Sequence, residues 1–332
     1  MLDNNIKKYF ELSYNFYYKN KKNRNKIINI NNEYNITKKR GKYIFITFAD
    51  SFNHNKLGLK RINNMKKLKN NLQKNNKYID EIIIYNLNNI EIEFKKKNKS
   101  LFSSERYFPW ISKVYVINKK LKEINDNDIL LWLDSDIRDI KEKGTCNLYS
   151  LCENSEHGIV GFHNNFWLEK FFTKKELFDY MGFKSNIYYD TQQAYGGVLL
   201  LKKNNFTLKF INEWITIGEN TELFDNNIRC KQHPEFITHK NDQSILSLLL
   251  KKYNIKTFPL PLIGMDQNDI IALHAGYFNN NNSLPLLWEP CWHNVTIEEM
   301  YNSCNKKFNK FNKYKIIPKD CLYISLKYLT KN

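Results

Sequence analysis

Ile129-Leu130-Leu131-Trp132-Leu133-Asp134-Ser135-Asp136 is the stretch that decides how this chain is read. A short apolar run suits a strand covered on both faces, as in a parallel sheet. Two carboxylates, one residue apart, follow it at once. An unpaired carboxylate is costly to bury, so Asp134 and Asp136 are expected where the strand leaves the sheet, at its carboxyl end. Open α/β sheets bind their ligands at that end. Two carboxylates placed there suit a hard divalent cation, which in turn suits the oxygens of a diphosphate. Asp also favours turns, so a bare Asp-x-Asp has a plain structural explanation. Its place after an apolar strand that contains Trp132 gives it weight.

The pattern on either side of this strand fits an α/β domain. Residues 43–48 read as a strand, 57–75 carry Leu, Ile and Met at helical spacing, and 79–85 read as a second strand. A β-α-β opening implies parallel strands and a right-handed crossover. Residues 106–124 read as a helix with Pro109 near its start. Further strands are expected at 158–162 and at 196–201, the latter entered through Gly196-Gly197. Helical segments are expected at 174–181, 204–216 and 241–253, the last begun by a polar cluster able to cap it. Residues 271–274 form a short apolar segment ending at His274. No repeat or linker interrupts 40–290. The expected organisation is a helical, polar extension over 1–39, one domain over 40–290 and a C-terminal extension over 291–332. The expected fold class is α/β, with a Rossmann-type, mostly parallel central sheet flanked by helices.

Composition narrows the classes of function. The chain has 332 residues, of which 42% are hydrophobic and 15% aromatic, enough to build a core and to exclude a disordered tail protein. Its 52 basic and 34 acidic side chains leave a net charge of +18, which raises nucleic-acid binding as a possibility. The excess is mostly Lys, however, and is spread along the chain among many Asn and Ile. Runs such as Lys95-Lys96-Lys97-Asn98-Lys99 look like the residue usage of an AT-rich genome, and solvated lysine faces account for them. No specific nucleic-acid partner is therefore expected, although a basic surface still attracts phosphates. The six cysteines (Cys146, Cys152, Cys230, Cys291, Cys304 and Cys321) form no Cys-x-x-Cys pair, which argues against a zinc or iron–sulfur site. The N-terminus lacks a signal-peptide core, and no window approaches the length of a membrane span. A soluble, cytoplasmic protein is expected, or one of a host cytoplasm or virion if the source is viral.

At this point the residues carry a resemblance. Beside Trp132-Leu133-Asp134-Ser135-Asp136 stand Phe45-Ile46-Thr47-Phe48-Ala49-Asp50-Ser51 with Leu59-Lys60-Arg61-Ile62, and His239-Lys240-Asn241-Asp242-Gln243-Ser244. Together they resemble the GT-A superfamily of nucleotide-sugar glycosyltransferases, in particular a bacterial and viral group with a His-x-x-Asp-Gln-Ser segment. The resemblance covers roughly residues 41–275 and is diffuse between these blocks. The group often has Trp-x-Trp-Lys-Pro on the helix before the Asp-x-Asp strand. Here Trp110-Ile111-Ser112-Lys113-Val114 keeps Trp110 and Lys113 and departs at Ser112 and Val114.

The resemblance implies a metal-dependent transferase. It would move a sugar from a nucleoside diphosphate sugar, with UDP-hexose the expected donor, to a hydroxyl of a glycan, protein or lipid. It implies that Asp136 ligates Mn2+ or Mg2+, and that Asp134 contacts the metal or the ribose. His274 is the candidate third ligand; a histidine at the end of a core strand is the competing explanation. Asp50 and Ser51 are candidates for a base or ribose contact. Lys60, Arg61 and Lys113 are candidates for the diphosphate, with Trp110 beside them. Asp242 and Gln243, at a helix start, are the catalytic candidates. Asp242 is the first choice for a general base if the reaction inverts, and an orienting group if it retains. Gln193, Asp190 and Gly196 are candidates for the sugar, the glycine through close backbone approach. His163 and His239 are weaker candidates.

Two other functions fit parts of the chain. A sugar-1-phosphate nucleotidyltransferase would share the fold but would carry a glycine-rich basic loop after the first strand. The loop Ala49-Asp50-Ser51-Phe52-Asn53-His54-Asn55 has no such glycines. A nucleic-acid-binding protein would gather its Lys and Arg on one element among stacking aromatics, whereas here they are dispersed.

Overall fold

A computed structural model describes residues 40–50, 56–75, 78–102, 110–135, 139–140, 142–183, 188–236, 238–259 and 271–272. The N-terminal extension and almost all of the chain after residue 259 lie outside these, as do Ser51, Asp136 and His274.

In chain order the elements are β1 (Tyr43–Phe48), α1 (Lys56–Asn75) and β2 (Glu81–Tyr85). The short helices α2 (Ile92–Lys97) and α3 (Lys99–Phe102) lead to α4 (Ile111–Glu123) and β3 (Ile129–Leu133). Next come β4 (Asp139–Ile140), α5 (Glu142–Glu153), β5 (Ile159–Leu168), α6 (Glu169–Phe172) and α7 (Lys175–Tyr180). The remainder is β6 (Gln192–Lys202), α8 (Asn205–Glu219), α9 (Thr221–Phe224), α10 (Asn241–Lys252), β7 (Phe258–Pro259) and β8 (Ile271–Ala272).

Six strands form one open mixed sheet in the order β2-β1-β3-β6-β5-β7. β1 is parallel to β2 and β3, and β5 to β7, while β6 runs antiparallel to both β3 and β5. Five strands thus point one way and β6 the other. A separate antiparallel pair joins β4 to β8.

Both faces of the sheet are covered at its centre, which is why β3 and the second half of β6 read as apolar runs. Alternate residues of each strand take opposite faces. Ile44, Ile46, Phe48, Leu130 and Trp132 share a core with Ile111, Val114 and Ile117 of α4, Phe210 and Trp214 of α8, and Leu246 and Leu249 of α10. Tyr43, Phe45, Leu131 and Leu133 pack on the other face against Met65, Leu68 and Leu72 of α1 and Leu148, Tyr149 and Cys152 of α5. Each fully buried Leu or Ile contributes about 1.5–3 kcal/mol relative to an exposed one. Close approach is built in at Gly218, where a Cβ would stand 2.7 Å from Ile111 Cδ1 and separate α8 from α4.

The expected strands and helices are present among the described elements, whereas α2, α3, α5, α6, α9, β4 and β7 have no counterpart in the sequence pattern, and three boundaries differ. The helical turns of α4 begin at Ile111 rather than at 106, and residues 103–109 lie outside the described set. β5 runs on to Leu168, past the expected end at 162, with irregular register against β6. β6 begins at Gln192, so Gly196-Gly197 lie inside the strand instead of opening it. The cause of the last difference is tertiary: Gln193 points into a buried polar network, so the first half of β6 is covered without being apolar.

Candidate functional site

The site lies at the carboxyl ends of β1 and β3, where the antiparallel β6 contributes its first half. Asp134 is the first residue past β3, and its N–H donates to Gly197 O (3.0 Å), which continues the β3–β6 ladder by one bond. Two helices begin beside it. Lys113 lies in the first turn of α4, and Asp242 and Gln243 lie in the first turn of α10.

Lys113 is the centre of the arrangement. Its side chain is 4% exposed, and Nζ stands 2.7 Å from Asp242 Oδ2 and 3.2 Å from Asp134 Oδ1. The third contact of the ammonium is to Gly196 O at 3.0 Å. Three oxygens thus surround the ammonium, two of them from carboxylates. The same Nζ lies 5.6 Å from the ring centroids of Trp110 and Trp132, within cation–π range. Burial pulls the ammonium toward neutrality, but Asp134 and Asp242 more than offset this and hold its pKa well above the usual lysine range. Burial pushes the Asp242 carboxyl above its usual range, and the Lys113 charge offsets part of that rise.

Asp134 differs from Asp242 in having an open side. Its Oδ1 accepts from Trp132 Nε1 (3.0 Å) and faces Lys113, while among the described residues nothing hydrogen-bonds to Oδ2. The side chain is 23% exposed and lines a cleft with Phe48, Arg61, Trp110, Lys113, Trp132 and Ser135. Arg61 reaches this cleft from α1, and its Nε is buried with no hydrogen-bond partner among the described residues. The cleft thus presents a carboxylate oxygen, a guanidinium and tryptophan walls.

Behind the cleft the polar groups are matched one to one. Gly196 N donates to Gln243 Oε1 (3.0 Å), and Gln243 Nε2 donates to Gln193 Oε1 (2.7 Å). Gln193 is fully buried and donates to Thr173 Oγ1 at 2.9 Å. Thr173 donates in turn to Glu169 Oε2 at 2.5 Å. Glu169, also fully buried, accepts from Ser247 and pairs with Lys251 Nζ at 2.6 Å. Gly196 suits this packing, since a Cβ there would stand 3.1 Å from Gln243 Cβ and 3.4 Å from Lys113 Nζ, and Gln243 would have to give by a few tenths of an ångström.

The structure brings Arg61, Trp110, Lys113 and Asp134 to one cleft, with Gly196, Asp242 and Gln243 directly behind Lys113. Gln193 is one layer deeper and holds Gln243. Asp242 is not an open base: its carboxylate is buried against Lys113, and Trp214 Nε1 donates to its carbonyl (3.1 Å). Asp50 accepts from Leu87 N–H (2.8 Å), so it fastens the turn after β2. Asp190 pairs with Lys170 (2.5 Å), and His163 Nδ1 bonds Thr257 Oγ1 (2.9 Å). His239 is buried, with its ring nitrogens on Lys174 N and Leu223 O, and burial lowers its pKa to about 3, so it serves as a neutral structural residue. The candidates Ser51, Asp136 and His274 lie outside the described residues. Along the chain, β4 starts three residues after Asp136 and β8 ends two residues before His274, and these two strands pair.

Sequence reasoning missed Trp132 as a partner of Asp134, although a spacing of two along a strand was the available signal. It also missed Glu169, Thr173 and Ser247, for which no local pattern exists. Among the described residues no group of three or more His, Cys, Asp or Glu side chains is gathered to hold a metal, and no helix is long and apolar enough to cross a membrane. No family model matches the chain, and no curated protein matches it.

Proposed function

We propose that this chain is a metal-dependent glycosyltransferase of the GT-A type. It transfers a sugar from a nucleoside diphosphate sugar, with UDP-hexose the first donor to test, to a hydroxyl of a glycan, protein or lipid. The observation that carries this reading is the state of Asp134. One carboxylate oxygen is held from inside by Lys113 and Trp132, and the other is free of described hydrogen bonds at a cleft shared with Arg61.

That division of the carboxylate suits monodentate ligation of Mn2+ or Mg2+, with Asp136 and His274 as the further ligands this reading requires. The ion's chemistry would be to offset the negative charge that develops on the departing nucleoside diphosphate. Arg61 supplies a fixed positive charge and a planar donor set for phosphate oxygens. Trp110 gives the cleft an apolar wall. Lys113 and Trp132 hold Asp134 in one orientation, so little reorganisation is needed when the donor enters. Asp242 acts as the counter-ion of Lys113, and Gln243 fixes the Gly196 peptide. The pairing of β4 with β8 supports the reading, because it ties the segment that follows Asp136 to the segment that precedes His274.

The test is hydrolysis of a panel of nucleotide sugars, with and without Mn2+, by the wild type and by Asp134→Ala and Asp136→Ala. Metal-dependent turnover of one donor, lost in both variants, establishes the class and names the sugar. Absence of binding and turnover with every donor overturns it.

A further inference from the structure

A half-open cavity of about 200 Å3 lies between β5, the start of β6 and the last turns of α10, and it shares no lining residue with the Asp134 cleft. Ala194, Leu250 and Ile255 give it buried apolar walls, while His163, Thr191 and Thr257 bring polar groups to it. A protein cavity of about 150 Å3 admits benzene, so this space accommodates one six-membered ring.

The charges beside the cavity are already compensated. Lys251 Nζ is surrounded by Glu169 Oε1 (2.6 Å), Gln192 O (2.9 Å) and Ser247 Oγ (3.0 Å). Glu169 cancels its charge and has no exposed surface of its own. Burial and the Lys251 charge lower the His163 pKa, so the imidazole is neutral at pH 7. Neither an anion nor a cation finds an uncompensated partner among the described lining residues.

The groups left open are neutral. His163 Nδ1 is held by Thr257 Oγ1 at 2.9 Å, and Nε2 has no hydrogen-bond partner among the described residues. Thr191 Oγ1 donates to Tyr188 O (2.7 Å), which leaves its lone pairs able to accept. Nε2 donates or accepts according to the tautomer that Thr257 fixes. A hydroxyl does both and therefore matches either tautomer. A wholly apolar ring would strip water from these groups and return no hydrogen bond. A sugar ring has hydroxyls at its edge and an apolar C–H face, the two surfaces that this lining offers to match.

We infer that this cavity is a second binding site, one that takes a single neutral sugar ring with its C–H face on Leu250 and Ile255 and its hydroxyls on His163 Nε2 and Thr191 Oγ1. The inference does not depend on the reading of the Asp134 cleft. The ring arrives free or as the end unit of a glycan, with the same contact chemistry in both cases.

The experiment is saturation-transfer difference NMR on the full chain. The probes are the methyl glycosides of glucose, galactose, mannose and xylose, and disaccharides that end in the same sugars. At least one sugar should give saturable transfer at or below about 50 mM, the range that reaches the weak affinity of a ligand held by a few neutral hydrogen bonds. Thr191→Val should weaken its binding by about fivefold, the loss of one such bond. His163→Phe keeps the size of the ring, removes both nitrogens and should weaken binding by about tenfold. It also leaves Thr257 unpaired; if it fails to fold, Thr191→Val, at a half-buried position, carries the test alone. UDP, inorganic phosphate and acetate should not displace the sugar. Tighter binding of a disaccharide than of its single ring identifies a glycan end, and equal binding identifies the ring alone. The inference is overturned if no sugar gives transfer, if transfer is unchanged in the folded variants, or if phosphate, acetate or UDP displaces the sugar.

Discussion

Two lysine–carboxylate clusters lie behind the same end of the sheet, and they differ in one respect. Around Glu169 every strong valence is used: Thr173, Ser247 and Lys251 all meet a carboxylate with no exposed surface. Around Lys113 one group is left open, since Asp134 is partly exposed and offers an oxygen without a described partner to a cleft. The same residue types produce a sealed structural network in one place and a half-open site in the other. A buried ion pair by itself says little about function, because a closed cluster can simply satisfy its own charges. An acceptor and a guanidinium nitrogen that both lack a hydrogen-bond partner among the described residues are the feature that calls for a ligand.

Four measurements test this contrast, taken in order of expected effect on stability. Glu169→Ala strands the groups that converge on it and should cost about 3–5 kcal/mol in urea denaturation. A loss below about 1 kcal/mol would show that the cluster is not the structural member of the pair. The variant also asks whether the clusters are separate: loss of Mn2+–UDP binding in a folded Glu169→Ala protein would make them one unit.

The second concerns acid. His239 has a folded pKa of about 3 against an unfolded value near 6.5, so below pH 6.5 the unfolded chain binds a proton that the folded chain refuses. Its contribution is fully present above about pH 6.5 and is lost as pH falls toward 3, a span worth several kcal/mol at about 1.4 kcal/mol per unit. Melting temperature followed from pH 7 to pH 3 should fall less steeply in His239→Asn than in the wild type. Parallel curves would remove His239 from the structural side.

The third is Asp134→Ala, which should change stability by about 1 kcal/mol or less because the side chain is partly exposed. The same variant should lose Mn2+–UDP binding altogether, and a large stability loss with binding retained would reverse the assignment of the two clusters. The smallest effect is expected for Trp132→Phe, which removes the indole donor to Asp134 Oδ1 and keeps the ring. Affinity for Mn2+–UDP should drop by about tenfold, as for other groups that orient a ligand, with the melting temperature little changed.

The parts of the molecule legible in the sequence are those governed by local pattern. The runs at 43–48 and 129–133 are strands because short, mainly apolar runs suit a sheet covered on both faces, and both were bounded correctly. The α10 helix was legible from its Ile and Leu spacing. The first half of β6 was not, because Gln192, Gln193 and Tyr195 follow no apolar alternation; Gln193 is buried by partners from α6, α10 and the residue Thr173, all distant in sequence. Asp242 was legible as a residue of interest but not as a counter-ion, since Lys113 lies 129 positions away.

The sequence by itself determined the α/β class, most of the sheet strands and the aspartate directly after β3, because these follow from periodicity and from the cost of burying charge. Only the tertiary structure decided which charges meet. It placed Lys113 between Asp134 and Asp242, closed Glu169 within its own network and left one side of Asp134 open. Those outcomes depend on distances between elements far apart in the chain, and electrostatic pairing at about 3 Å is a property of that geometry rather than of residue order.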